Sequence, residues 1–377
     1  MKLNLRNNIS AYVMLFSLFL IGIIFSILTE GTFYSARNIS MLARQTTIVG
    51  ILAIGMLFVI VAGQIDLSVG SIVGLCGTIA AALQVWNNWG TIPTIIVTIF
   101  FGMLCGIWNG YWVSYRKVPS FIVTLAGLLI FKGVNLGISK GKSIAPLKRN
   151  FSALGQSYTP ATIGWILSAF AVFAVILLFI NRRNSKIKYN FEVKPLYIDI
   201  LKIVLISGVI LLAVGVLNNY QGIPIPVLIM LFIAIIFAFI AKNTVFGRSV
   251  YSIGGNEEAS ALAGINTKRI TLLVFIISSG LAAISGILLS ARLDAATPAA
   301  GTSMELDAIA ACVIGGASFT GGIGRIPGVI IGALVMASLD NGMSLINLEN
   351  YWQLIVKGII LILAVWVDTM SKNESTV

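Results

Sequence analysis

The polar stretch Tyr251 to Arg269 stands between two long apolar runs and carries the chemistry of a docking surface. Asn256 is a good helix N-cap, and Glu257 and Glu258 put carboxylates on the first turn, where the helix dipole favours them. Ala259, Leu262 and Ala263 then form a small apolar stripe, and Gly264 is a natural stop. A short surface helix of this kind suits docking on another protein; an ordinary solvated connector is the alternative. A second polar site is Gly63 to Ser71, where Gln64-Ile65-Asp66-Leu67-Ser68 interrupts two apolar runs. Asp66 either caps the following helix or faces a transport path, because irregular backbone at membrane depth is tolerated only in protein or along a cavity.

The third irregular stretch spans Glu305 to Gly328 and holds the glycine run 315–324. That much glycine excludes one continuous helix and predicts a broken or re-entrant element. Glu305 and Asp307 are expected near the outer face, as a grip for an external partner or as plain N-terminal helix charge. Asp340 and Lys357 lie in consecutive apolar segments at similar depths, and lone charges are costly in lipid, so a structural ion pair is expected.

Other chemistry is excluded. Histidine is absent, and Cys76, Cys105 and Cys312 lie in apolar surroundings with no CxxC, so no metal site is expected. Gly141-Lys142-Ser143 resembles the end of a phosphate-binding loop, but Leu136 occupies the position where glycine is required. The run at 315–324 follows no soluble strand and is no dinucleotide fingerprint. No catalytic triad is present, so the chain reads as a non-enzyme.

The elements that must position these residues are membrane helices. The chain is 58% hydrophobic and 10% charged, where a soluble domain carries about a quarter charged residues. Apolar runs lie at 11–28, 47–62, 69–85, 94–113, 119–136, 162–180, 200–217, 224–241, 270–290, 329–346 and 353–368, with a shorter one at 305–320. They predict an all-α polytopic bundle of about 10–12 transmembrane helices, not a barrel. Met1 to Arg6 is basic and leads into an apolar run without a small-residue cleavage site, as in a retained signal anchor.

The net charge of +12 fits membrane orientation better than nucleic-acid binding, because the basic residues fall in short loops. With both termini inside, sixteen of the 25 basic residues face the cytoplasm and seven face out. The 242–269 loop is then cytoplasmic, and 181–199, charged and broken by Pro195, is a cytoplasmic linker within a single transmembrane domain spanning 1–377. Small-residue ladders at Gly102, Gly106 and Gly110, and at Ser278, Ala282, Gly286 and Ser290, predict close helix contacts.

Four motifs in order carry a family resemblance. They are Gln45-Thr46-Thr47-Ile48-Val49-Gly50-Ile51-Leu52-Ala53-Ile54-Gly55-Met56, the IDLSVGS run at 65–71, the GNEEAxxLAGIN run at 255–266, and LDAIAACVIGG at 306–316. Together they resemble permease subunits of bacterial ABC importers for monosaccharides, of the ribose/xylose type. Trp108-Asn109-Gly110-Tyr111-Trp112, Asn218-Asn219-Tyr220-Gln221-Gly222-Ile223-Pro224 and Ala337-Ser338-Leu339-Asp340-Asn341-Gly342-Met343-Ser344 look most like the xylose branch. Gln64 departs from relatives that often carry glycine or another residue there.

The resemblance implies a multi-pass protein of the bacterial inner membrane, working as a homodimer. Cytoplasmic ATPase subunits would bind ATP and Mg, no cofactor would reside in this chain, and an extracytoplasmic sugar-binding protein would deliver a monosaccharide, xylose foremost. Gly255, Asn256, Glu257, Glu258, Ala259, Leu262 and Gly264 would form the helix that couples to the ATPase. A neutral sugar calls for amides and hydroxyls along its path, with Asn109 and Asn341 as liners beside Asp66. The rival reading is a proton-coupled sugar symporter using Asp66 or Asp340 as its titrating carboxylate.

Overall fold

The computed structural model describes residues 2–193 and 195–373. Among them there are fifteen α-helices, one short 3-10 turn (Thr32–Tyr34) and no strand. In chain order the first nine are α1 (Lys2–Leu28), α2 (Ala36–Val61), α3 (Val69–Val85), α4 (Thr91–Ser114), α5 (Ser120–Ser139), α6 (Arg149–Gln156), α7 (Ala161–Lys188), α8 (Leu196–Asn218) and α9 (Ile225–Asn243). The rest are α10 (Val245–Gly255), α11 (Glu257–Leu262), α12 (Thr267–Leu293), α13 (Met304–Ile314), α14 (Ile326–Leu345) and α15 (Asn350–Asn373). Eight are long and apolar enough to cross a membrane: α2, α4, α5, α7, α8, α9, α12 and α14. Shorter apolar helices cover Phe16–Leu28, Val69–Val85 and Asn350–Leu363. The architecture is an all-α polytopic bundle, and the runs 47–62 and 69–85 belong to separate helices.

Long-range contacts fix which ends of the helices lie together. Asn38 at the start of α2 meets Asn341 near the end of α14. At the opposite face, the carbonyl of Val61 at the end of α2 accepts from the amide of Gly322. The bundle therefore has one face with the α1–α2, α3–α4 and α14–α15 turns, and another with the 62–68 break, the 115–119 turn and α10–α11. By the distribution of basic residues the second face is cytoplasmic.

Helix α12 is the central post, and small residues let its neighbours approach. A Cβ added at Gly102 would lie 2.5 Å from Ala283 Cβ, one at Gly106 would lie 2.5 Å from the Phe275 carbonyl, and one at Gly110 would lie 2.8 Å from Leu272 Cδ1. The glycine ladder of α4 thus seats directly on α12. On another side of α12, Ser278 packs where a Cβ on Gly55 of α2 would come within 3.0 Å of its Cα. Without a hydrophobic drive between helices in lipid, such close backbone packing is a main source of association. Gly106→Val is expected to destabilise the bundle by about 1–3 kcal/mol through overpacking. Gly133→Val, where nothing lies within 4 Å, should leave the thermal midpoint in detergent unchanged.

The 181–199 linker and the glycine-rich stretch differ in shape. The 181–199 linker is mostly helix: α7 runs on to Lys188, and α8 starts at Leu196. Its charged residues extend α7 past the apolar run, and Arg183 pairs with Asp199 of α8 at 2.8 Å. The glycine-rich stretch breaks as its composition requires: α13 ends at Ile314, Gly316, Gly321 and Gly322 take positive φ, and α14 begins at Ile326.

Candidate functional site

The cytoplasmic surface is built from α10 upward. Thr244 caps this helix by accepting from the Gly247 amide at 3.1 Å. Near its far end, Gly254 lies so close to the Val61 carbonyl and to the Gly322 amide that no side chain fits. Tyr251 donates its hydroxyl to the Gly324 carbonyl at 2.8 Å, and burial pushes its phenol up, so it stays neutral and keeps donating. Helix α10 is thereby bolted to the end of α2 and to the glycine loop beside α13.

Helix α11 follows at once. Asn256 Oδ1 accepts from the Ala259 amide at 2.8 Å, and the backbone of Asn256 is extended, as an N-cap requires. Ser260 is the one buried residue of the helix, and its Oγ lies 2.8 Å from Ser252 Oγ of α10. Gly264 takes φ +85, and Asn266 caps α12 through the Arg269 amide at 3.0 Å. Ala259, Leu262 and Ala263 face outward, with Leu262 91% exposed. Glu257 meets Lys117 of the 115–119 turn at 3.4 Å, an exposed pair that contributes little to stability. The result is a rigidly held apolar knob ringed by charge.

Asp66 is fully buried at the break between α2 and α3. Its Oδ1 accepts from the Ser68 amide at 2.9 Å and from Ser68 Oγ at 2.6 Å, so it caps the start of α3. Ser68 Oγ in turn accepts from Asn109 Nδ2 of α4 at 2.8 Å. Asp66, Ser68 and Asn109 therefore form one relay joining three helices. Asp66 Oδ2 and Asn109 Oδ1 have no hydrogen-bond partner among the described residues. Asn341 is not beside them. It forms a reciprocal amide pair with Asn38, at 2.8 and 3.0 Å, and both residues are buried.

Lys357 of α15 binds two carboxylates. Its Nζ lies 2.9 Å from Asp340 Oδ2 and 2.9 Å from Asp307 Oδ1. Asp307, expected at the outer face, is instead 5% exposed, because its carboxylate turns inward onto this ammonium. A surface grip on an external protein is closed to it. Glu305, two residues earlier, points toward Gly70 of α3 and borders a cavity.

Asn38 and Lys117 also belong to these sites, though their types alone did not mark them, and Asp307 joins the pair of Asp340 and Lys357. The available signals were an asparagine in an apolar helix, and a third intramembrane charge needing its share of Lys357.

Comparison with known proteins agrees with this architecture. Residues 38–365 match a family model described as branched-chain amino acid transport system / permease component. The chain is 50% identical to the xylose transport system permease protein XylH of Haemophilus influenzae, covering 97% of this chain and 98% of that one. It is 47% identical to XylH of Escherichia coli K12, covering 98% and 94%. The ribose import permease protein RbsC of Bacillus subtilis is 33% identical, covering 93% and 90%. No solved structure matches it significantly. With its bundle of membrane-crossing helices, the chain belongs to this family of transport-system permease components and is a multi-pass membrane protein, not an enzyme.

Proposed function

We propose that this chain is the permease subunit of an ATP-driven importer that carries xylose into the cytoplasm. The observation that carries the reading is half identity, over nearly the whole length of both chains, to a protein named for xylose transport. The exposed, capped helix α11 supports ATP coupling from a partner, since its outward Leu262 is left 91% exposed. Gly255, Asn256, Glu257, Glu258, Ala259, Leu262 and Gly264 would meet the ATPase, where ATP and Mg bind. An external sugar-binding protein would load the outer face, and two copies of the permease would enclose the path. Closure of the ATPase pair drives the change of access because ATP binds one state more tightly than the other.

A proton-coupled symporter needs an intramembrane carboxylate free to load and release its proton. Of the two carboxylates that reading would use, Asp340 is tied to Lys357 and Asp66 is held through Oδ1 by Ser68, which weighs against it. The importer reading is tested by radiolabelled xylose uptake in cells lacking their own xylose permease, supplied with this chain, its ATPase and its binding protein. Uptake should return and be competed by unlabelled xylose better than by ribose. Restored uptake that ribose competes more strongly would reassign the sugar.

A further inference from the structure

Outside the relays described above, one cavity combines charge, hydroxyls and an amide at membrane depth. It is bordered by Ser71 of α3, Lys132 and Asn135 of α5, Thr302 and Ser303 of the loop before α13, and Glu305 of α13. We propose that this cavity is a water-filled subsite of the transport path that takes the hydroxyl groups of a neutral sugar. The inference rests on the importer reading and adds where the sugar is held.

Depth is the first argument. The 294–303 loop leaves the outer end of α12, yet it packs against α3 at Gly70 and Gly74, with the Ala300 and Gly301 carbonyls lying where their side chains would be. Those glycines lie about 16 to 23 Å below the outer end of α3 at the helical rise. The loop is non-helical there, with Gly301 at φ +82 and Ser303 at φ +64. Irregular backbone at such depth is stable only when it is buried in protein or lines a water-filled cavity. Thr302 is exposed, so this loop is not fully covered by the chain's own helices.

Charge is the second argument. Lys132 is exposed on a membrane-crossing helix, and neither it nor Glu305 forms an ion pair among the described residues. A lone lysine could reach the outer interface along its stem. Glu305 cannot, since its carboxylate is turned toward Gly70 in the depth of α3. Two unpaired charges of opposite sign on one cavity wall are costly in lipid and stable in water.

Donor and acceptor chemistry is the third. Each sugar hydroxyl both donates and accepts; a carboxylate accepts, an ammonium donates, and serine and threonine do either. Asn135 is held in place at the cavity edge, accepting from Thr78 Oγ1 at 2.6 Å and donating to the Pro298 carbonyl at 3.3 Å. It braces α3, α5 and the loop around the opening.

The test uses single cysteines in the full transporter, with permease, ATPase and binding protein together in membranes. The native Cys76, Cys105 and Cys312 are buried, so background labelling should be low. Thr302→Cys and, separately, Ser71→Cys are treated with a charged, membrane-impermeant thiol reagent, while wild-type xylose uptake is measured in the same membranes. Both cysteines should react, and xylose at about ten times its half-saturating concentration should slow the reaction roughly tenfold, since only the empty tenth is open. Absence of reaction at both positions would overturn the subsite, as would reaction that no sugar slows while wild-type uptake persists; the importer reading would survive either. Reaction slowed by ribose but not by xylose, without xylose uptake, would keep the subsite and overturn the xylose assignment.

Discussion

Leu262→Asp is expected to leave the permease folded and inserted while removing most of its ATP-driven xylose uptake. With 91% of Leu262 exposed, the chain loses almost no internal contact when it is replaced. Covering a leucine in an interface is worth about 1.5–3 kcal/mol. At 1.4 kcal/mol per decade, its loss weakens ATPase binding by roughly ten- to a hundredfold. An aspartate buried in its place adds a desolvation cost, so the effect should reach the upper end. Glu257→Lys should act in the same direction. It breaks the pair with Lys117 and sets a positive charge on the positive end of α11, an effect of about 0.3–1 kcal/mol. Co-purification of the ATPase, together with ATP hydrolysis stimulated by the loaded binding protein, reads both variants. Unchanged coupling in both would remove α11 from the ATPase interface.

Lys357→Met is the substitution expected to damage the fold most. It leaves Asp307 and Asp340 near each other, within a bundle where neither has another cation in contact among the described residues. Removing one partner of a buried ion pair costs about 3–5 kcal/mol, because the remaining charge is left uncompensated. The same cause predicts rescue. Lys357→Met combined with Asp307→Asn and Asp340→Asn should regain most of the lost thermal stability in detergent. A purely steric role for the lysine stem would give no rescue. Asp307→Asn alone should be milder, since Asp340 still balances the ammonium.

These two sites were unequally legible in the sequence. The α11 surface depends on local signals: a capping asparagine, two acids after it and a glycine stop, all within ten residues. Such chemistry acts over one or two helical turns and can be read without the tertiary fold. Ser260, which anchors α11 to α10, has no such signal, because its partner Ser252 becomes a neighbour only when the two helices pack. The charged triad was half legible. Two charges at matching depths flanking one turn suggest Asp340 and Lys357, but Asp307 reaches them from α13 across fifty residues of chain. Its place in sequence, at the start of a short helix, suggested a surface instead.

The path residues show the same limit. Asp66 before Ser68 reads as a cap or as a path residue, and the cap geometry is what forms; the link through Ser68 to Asn109 needs α4 laid against α3. Asn341 carried no clue that Asn38 would take up its amide from the other end of the chain. Hydropathy sees length and composition, and the four-residue spacing of Gly102, Gly106 and Gly110 showed that α4 packs closely on a neighbour, whereas α12 as that neighbour needs the tertiary fold.

Reconstitution tests the central claim most directly. Proteoliposomes holding this permease with its ATPase, and its binding protein on the external side, should accumulate xylose only when ATP is supplied on the ATPase side and all three components are present. Xylose entry into vesicles holding the permease alone, driven by a proton gradient without ATP, would contradict the account.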